Sequence, residues 1–179
     1  MTPTRVLVAF SSRSGSTAGT AEAIASVLRS AGLVVDCRAK EDVDDISQYR
    51  AVVVGSGMFV PSRASDGGGF LERHAAALRD RDVWLYSTGP IGGRAGRGGA
   101  ASAADELPAV TVGRAIGARG VATFGSVGMP DGDDPVAALV PADRREIRTW
   151  AAEIAAGLGA QGKASSCRRH HWHHVAAPG

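Results

Sequence analysis

The stretch RVLVAFSSRSGSTAGTAEAI, residues 5–24, decides the fold of this chain. Its first part, residues 5–10, is a short apolar run with β-branched side chains, which predicts a buried strand of a parallel sheet. Residues 17–31 carry apolar side chains at helical spacing, and Gly32 stands where a C-terminal helix cap belongs. A strand that leads at once into a helix predicts an α/β fold.

The loop between this strand and this helix is rich in hydroxyl groups. The first N–H groups of a helix lack internal partners and the helix dipole is positive there, so such a loop binds anions. It lacks the glycines of a dinucleotide-binding turn and the lysine of a Walker A loop. A ring of hydroxyl donors suits a phosphate monoester such as that of FMN, although a serine-rich capping turn fits the same residues. The candidate phosphate-binding residues are Ser12, Arg13, Ser14, Gly15, Ser16 and Thr17.

Later segments repeat the alternation of strand and helix. Further strands are predicted at residues 33–37, 49–55, 83–87 and 120–127. Helices are predicted at residues 70–80, 107–118 and 141–158, whereas the acidic residues 40–48 predict a short helix or an exposed connection. Five strands alternating with helices predict a doubly wound α/β sheet.

In such a sheet, ligands bind beyond the carboxyl ends of the strands, where the strand order reverses, so the loops after strands one, three and four converge. A flavin ring would lie beside the second and third of these loops. Gly57 can adopt a positive φ beside the ring, and its two neighbours can cover a ring face, but an ordinary turn with two core side chains is the alternative. The candidate ring-binding residues are Ser56, Gly57, Met58, Phe59, Ser87, Thr88 and Gly89.

The first loop resembles the flavodoxin signature F-x-[ST]-x-x-G-x-T-x-x-x-A-x-x-[LIV], which begins here at Phe10 and ends at Ile24. The resemblance spans about residues 4–158 and implies a flavodoxin-like sheet of five parallel strands in the order 2-1-3-4-5, with FMN as cofactor. Within this group the chain looks most like the branch related to menaquinone-dependent protoporphyrinogen oxidase, in part through Arg13. It departs from that branch at residues 128–141, which are short and acidic where the branch has a long basic insertion.

Length and composition predict one domain. The 179 residues, 44% of them hydrophobic, fit a flavodoxin-like FMN-binding domain at 1–159 and a disordered tail at 160–179. Neither an integral membrane segment nor a signal segment is recognisable, which predicts a cytoplasmic protein. Cys37 and Cys167 lie far apart, so neither a disulfide framework nor a zinc site is indicated. The histidines of the tail lack a scaffold, and no metal site is predicted.

Charge guides the choice among flavodoxin-like functions. Shuttle flavodoxins are typically acidic, whereas this chain has a net charge of +2 and no aromatic residue at 87–93. Both features favour an FMN-dependent oxidoreductase acting on a quinone or a protoporphyrinogen-like substrate. The alternatives are a flavodoxin-type electron carrier and a flavin-free binding or regulatory module. The expected partners are a small-molecule substrate or a redox protein, with no nucleic acid, and no residue is a convincing acid or base. His74 is expected on a helix surface or partly packed.

Overall fold

Five short apolar runs form one parallel sheet in this computed structural model, which describes residues 3–11, 15–56, 68–89, 108–125 and 141–160. The strands are β1 (Arg5–Phe10), β2 (Val34–Ala39), β3 (Ala51–Ser56), β4 (Asp82–Gly89) and β5 (Gly120–Gly125). Neighbouring strands pair in parallel, in the order β2-β1-β3-β4-β5. The predicted doubly wound fold and its strand order are therefore confirmed.

Helices cover both faces of this sheet. They are α1 (Gly15–Ser30), α2 (Gly68–Arg73), α3 (Ala75–Arg79), α4 (Pro108–Ile116) and α5 (Pro141–Ala160). Successive strand residues point to opposite faces, so each central strand contributes to two cores. Val6 and Val8 pack with apolar residues of α1 and α5, whereas Leu7 packs with those of α2, α3 and α4. Within the described ranges, no helix is long and apolar enough to cross a membrane.

The predicted cap ends helix α1. Gly32 has a φ of +86°, its N–H donates to the carbonyl of Arg29 at 2.9 Å, and the N–H of Leu33 donates to the carbonyl of Leu28 at 3.2 Å. These two bonds form a Schellman motif, in which a residue with positive φ satisfies the last carbonyls of the helix. The chain then turns directly into β2.

Several predicted boundaries were wrong, and β2 for example ends at Ala39 and β3 begins at Ala51. Strand β4 continues to Gly89, because Thr88 and Gly89 still pair with residues of β5. The helix predicted at 70–80 is broken into α2 and α3 at His74, whose φ of −104° and ψ of 11° are not helical. His74 is only 8% exposed, because its ring packs on that of Phe70 with centroids 4.7 Å apart, so it is more buried than expected.

The connection from β2 to β3 contains a 3₁₀ turn at Lys40–Asp42 and then irregular chain. Its acidic residues are exposed, but Val43, Ile46 and Tyr49 are buried against the sheet. Their burial replaces the apolar face that a crossover helix would supply.

Arg81 holds this irregular connection in place. Its guanidinium donates to the carbonyls of Ile46 at 3.2 Å, Tyr49 at 2.9 Å and Ser47 at 3.1 Å, and also to the carbonyl of Ala77 in α3. The guanidinium of Arg81 therefore satisfies backbone carbonyls of both the β2–β3 connection and α3, which no β-ladder or helix joins to each other.

We predict that Arg81→Lys lowers the free energy of unfolding by about 1–3 kcal/mol, because a lysine ammonium cannot reach the same set of carbonyls. Urea unfolding measures the change. Arg79→Lys, at the exposed end of α3, is the matched control. Equal effects of the two substitutions would contradict the role given to Arg81.

A second set of contacts ties the same connection to β2. Asp36 accepts hydrogen bonds from the Tyr49 hydroxyl at 2.8 Å and from the Arg5 guanidinium at 3.1 Å. The Tyr49 hydrogen bond, together with that from Arg5, lowers the pKa of Asp36 despite partial desolvation. The ionised form of Asp36 is thus the one that the fold stabilises.

A carboxyl whose pKa is lowered by folding contributes stability above its unfolded pKa of about 3.9, and loses that contribution as the pH falls through its folded pKa. We therefore predict that Asp36→Asn lowers the free energy of unfolding at pH 7. The difference in this free energy between the variant and the parent should become smaller in acid. Urea unfolding of the parent and the variant, from pH 7 down to below the folded pKa of Asp36, tests this prediction. Asp44→Asn, at an exposed position, is the control. If the difference in free energy of unfolding between Asp36→Asn and the parent stays constant with pH, the stabilising role given to ionised Asp36 is contradicted.

Candidate functional site

Buried hydroxyl groups gather where the central strands end and α1 begins. Thr17 in the first turn of α1 and Ser56 at the end of β3 are both fully buried. Ser11, directly after β1, and Thr88, near the end of β4, are almost as deeply buried. Polar side chains are uncommon in protein interiors and are usually hydrogen-bonded there, and the gathering of four at one edge makes this carboxyl edge the candidate site.

Thr17 and Thr88 meet across the gap between α1 and β4. Their Oγ1 atoms are 2.6 Å apart, and either hydroxyl can be the donor. Thr88 faces α1 because it lies two residues after Tyr86, on the same face of β4. The structure thus brings together one residue from the predicted phosphate loop and one from the predicted ring loop.

Tyr86 holds the backbone of the same residue. Its hydroxyl donates to the carbonyl of Thr17 at 3.0 Å, and its ring packs near Phe124 and Trp150, with centroids 6.3 and 6.4 Å away. Burial raises the pKa of Tyr86 well above its usual range, so the phenol keeps the proton that it donates. Strand β4 therefore fixes both the side chain and the main chain of Thr17.

Gly55 of β3 makes room for this tyrosine. A Cβ atom built on Gly55 would lie 2.0 Å from Cζ, 2.1 Å from the hydroxyl oxygen and 2.5 Å from Cε1 of Tyr86. The two residues are register partners in neighbouring strands, so the ring lies directly across the glycine. Sequence reasoning missed both residues, although a glycine inside a valine strand is itself a signal of close approach.

Some of the other candidate residues lie in strands and helices that the structure describes, and the rest do not. Ser56 and Ser87 are register partners on the sheet face opposite to Thr88. Gly15 and Ser16 form the start of α1, and Gly89 ends β4. The remaining candidates lie outside the described residues, and they are Ser12, Arg13, Ser14, Gly57, Met58 and Phe59.

The chemistry of the described groups fits an anion. Helix α1 begins here without an acidic residue in its first turn, so its N–H groups and dipole favour negative charge. Thr20, one turn further along α1, is fully buried, and its Oγ1 lacks a hydrogen-bond partner among the described residues. Hydroxyl and amide donors at a helix start suit a phosphate monoester.

A metal or a reactive thiol is not indicated here. Within the described part of the chain, no group of histidine, cysteine and acidic residues is arranged to hold a metal ion. Burial raises the pKa of the Cys37 thiol to about 12, so that thiol is unreactive near neutral pH. The histidines of the tail lie outside the described residues.

The sequence model of the flavodoxin domain family matches residues 7–107, more than half of the chain. The chain belongs to the flavodoxin domain family. FMN is the cofactor to which this family points. The matched residues include the whole phosphate loop, β3 and β4, and with them Thr17, Gly55, Tyr86 and Thr88. No curated protein matches the chain in sequence.

Solved structures of flavodoxins share this fold. A flavodoxin from the domain Archaea is 18% identical and covers 87% of this chain and 99% of its own, with a TM-score of 0.61. Oxidised flavodoxin 1 from Bacillus cereus is 15% identical over 86% of this chain and 98% of its own, with a TM-score of 0.56. Two-electron reduced flavodoxin from Megasphaera elsdenii is 20% identical over 83% and 98%, with a TM-score of 0.55. At such identities the likeness shows the fold.

We predict that Gly55→Ala lowers the free energy of unfolding by about 1–3 kcal/mol, because Tyr86 must shift to admit the methyl group. Gly157→Ala is the matched control, since a Cβ there meets nothing within 4 Å and the residue lies in helix α5. The control should stabilise the protein by about 0.5–1 kcal/mol. Thermal or urea unfolding distinguishes the two, and a neutral Gly55→Ala would show that Tyr86 is not held in this position.

Proposed function

We propose that this flavodoxin domain binds FMN at the carboxyl edge of its sheet and uses it for electron transfer. The observation that carries the proposal is the buried Thr17 hydroxyl in the first turn of α1. It lies where a helix N-terminus attracts an anion, and strand β4 holds Thr17 by one hydrogen bond to this hydroxyl and one to the Thr17 carbonyl. The phosphate of FMN would be held by Thr17 together with the loop residues Ser12, Arg13, Ser14, Gly15 and Ser16.

The flavin ring would be held by the chain that follows β3 and β4. Ser56 and Ser87 are register neighbours at the ends of these strands, which supports placing both loops beside one ligand. The residues that we propose for this role are Ser56, Gly57, Met58, Phe59, Ser87, Thr88 and Gly89. Bound FMN supplies the redox chemistry, whereas the protein supplies binding, electrostatics and access.

We predict that apoprotein binds FMN, and that Ser12→Ala combined with Thr17→Ala weakens FMN binding by about tenfold to hundredfold, because each lost hydroxyl bonds a charged group. Riboflavin, which lacks the phosphate, should bind the parent and the double variant almost equally. Fluorescence titration of both flavins measures this. Equal losses for the two ligands would contradict the phosphate assignment, and absence of flavin binding by the parent would favour a flavin-free module.

For the reaction, we favour an oxidoreductase over a dedicated low-potential shuttle. The net charge of +2 and the absence of aromatic side chains at residues 87–93 both ease the addition of negative charge to the flavin. Five of the residues 92–99 are glycines, which would leave space beside the ring for a planar substrate such as a quinone or a porphyrinogen. This choice also agrees with the resemblance to the protoporphyrinogen oxidase-related branch. A redox partner protein is the alternative acceptor, and the cytoplasm is the proposed location.

Potentiometric titration of the FMN-loaded protein tests the choice. For an oxidoreductase of this charge, we predict that the two one-electron potentials lie close together, because the negative charge of the reduced flavin meets no excess of negative surface. Widely separated steps with a very low second potential would favour the electron carrier.

A further inference from the structure

We propose that the outer edge of β2 is a docking strand for a second copy of this chain, and that Arg29 limits this pairing. The two copies of β2 would run antiparallel about a two-fold axis at Cys37 and join two five-stranded sheets into one. The inference goes beyond the proposed function, because it concerns the edge of the sheet and needs no flavin. It rests on the backbone of β2, on the position of Arg29 and on the order of charges along the strand.

Strand β2 lies at one edge of the sheet, so part of its main chain has no neighbouring strand to bond. The N–H of Val34 donates to the carbonyl of Thr4 at 3.1 Å, so the main-chain groups of Val34 face β1. Along a paired strand this direction alternates from one residue to the next. The main-chain N–H and C=O groups of Val35, Cys37 and Ala39 therefore face outward.

Arg29 of α1 covers one of these outward carbonyls. Its Nε and Nη2 atoms each lie 3.4 Å from the carbonyl oxygen of Val35, and its Nη1 donates to the carboxylate of Glu22 at 2.6 Å. Both bonds to Val35 are long, and 43% of the Arg29 side chain is exposed, so this contact opens at small cost. Arg29 thus shields the edge of β2 loosely, as charged side chains do at many sheet edges.

Antiparallel pairing about Cys37 uses the same outward groups. Cys37 would lie opposite Cys37 of the second copy, and Val35 would lie opposite Ala39 of the second copy. Residues that oppose each other in this way exchange two N–H···O bonds. The carbonyl of Val35 would then accept from the N–H of Ala39 of the second copy, in the place that Arg29 takes in the single chain. Pairing and the Arg29 contact therefore compete for one acceptor.

The charges along β2 match in this register. Asp36 and Arg38 lie two residues apart on one face of the strand, and pairing about Cys37 places each opposite the other residue of the second copy. Registers centred on Asp36 or on Arg38 would instead place like charges opposite each other, which is unfavourable. Arg38 is exposed and forms no ion pair within the described ranges, so its charge is available for this contact.

The resulting interface is small. Only three residues of each strand offer outward main-chain groups, so we expect weak association that depends on protein concentration. Val34 is the only large hydrophobic side chain exposed among the described residues, at 40%, and the apolar stem of Arg38 of the second copy would cover it. Because the two sheets run in opposite directions, the carboxyl edge of each copy stays open.

Sedimentation equilibrium of the full chain, at concentrations up to about 1 mM, measures the pairing. Arg29→Ala removes the cover, Ala39→Pro removes the N–H that competes for the Val35 carbonyl, and Arg38→Glu places like charges opposite each other. Ala39 has a φ of −64°, which proline adopts without strain. Arg79→Ala and Arg79→Glu, at the exposed end of α3, are the matched controls. Urea unfolding shows which variants are folded.

We expect the parent to form a weak dimer. Arg29→Ala should lower the dimer dissociation constant by about three- to tenfold, whereas Ala39→Pro and Arg38→Glu should each raise it by about tenfold. Both Arg79 variants should behave like the parent. The inference is overturned if Arg29→Ala is as monomeric as Ala39→Pro. Equal dimerisation of all variants would also overturn it, because the interface would then lie elsewhere.

Amide hydrogen exchange gives a second readout that locates the interface. As the concentration of the parent rises, the N–H groups of Val35, Cys37 and Ala39 should become more protected, and this protection should be stronger in Arg29→Ala. The N–H groups of β5, at the other edge of the sheet, should not change. Protection that grows at β5 and not at β2 would contradict the proposal. Neither measurement involves FMN, so either outcome leaves the proposed function untouched.

Discussion

Burial of the central residues of β1 and β3 on both faces is the constraint on which the rest of the structure depends. From Val6 to Ala9 and from Ala51 to Val54, every side chain is apolar and fully buried. Such strands cannot carry a polar side chain within the sheet without leaving it unsatisfied. Polar groups appear instead at the strand ends, and the buried hydroxyls of Ser11 and Ser56 occur there. The same burial that stabilises the sheet thus confines its chemistry to one edge.

The sequence predicted the architecture well because apolar runs and helix caps are local signals. The five strands and the cap at Gly32 follow from residue type and spacing, and the strand order came from the resemblance to flavodoxins. The end of β4 was missed because Thr88 and Gly89 read as a turn, and only pairing with β5 makes them strand. The break at His74 was missed because the apolar spacing continues through it.

The site was predicted in part. Thr17 and Thr88 were both named from the sequence, but their mutual contact depends on how far β4 extends beneath α1, which no local pattern reveals. Tyr86 looked like one more apolar strand residue, and its role depends on the glycine that lies opposite in β3. Arg81 is similar, because its acceptors lie on a connection more than thirty residues away. Contacts of this kind become visible only with tertiary structure.

The large sequence separation of Thr17 and Thr88 also has a consequence for how the protein folds during synthesis. The signature stretch lies near the start of the chain, yet its threonine is held by residues that are synthesised about seventy positions later. Contacts of high sequence separation form late, because the intervening chain must first be closed into a loop. A nascent chain that displays the whole signature therefore still lacks the support of β4. Retention of the cofactor would then indicate a chain in which β4 has already joined the sheet beside β3.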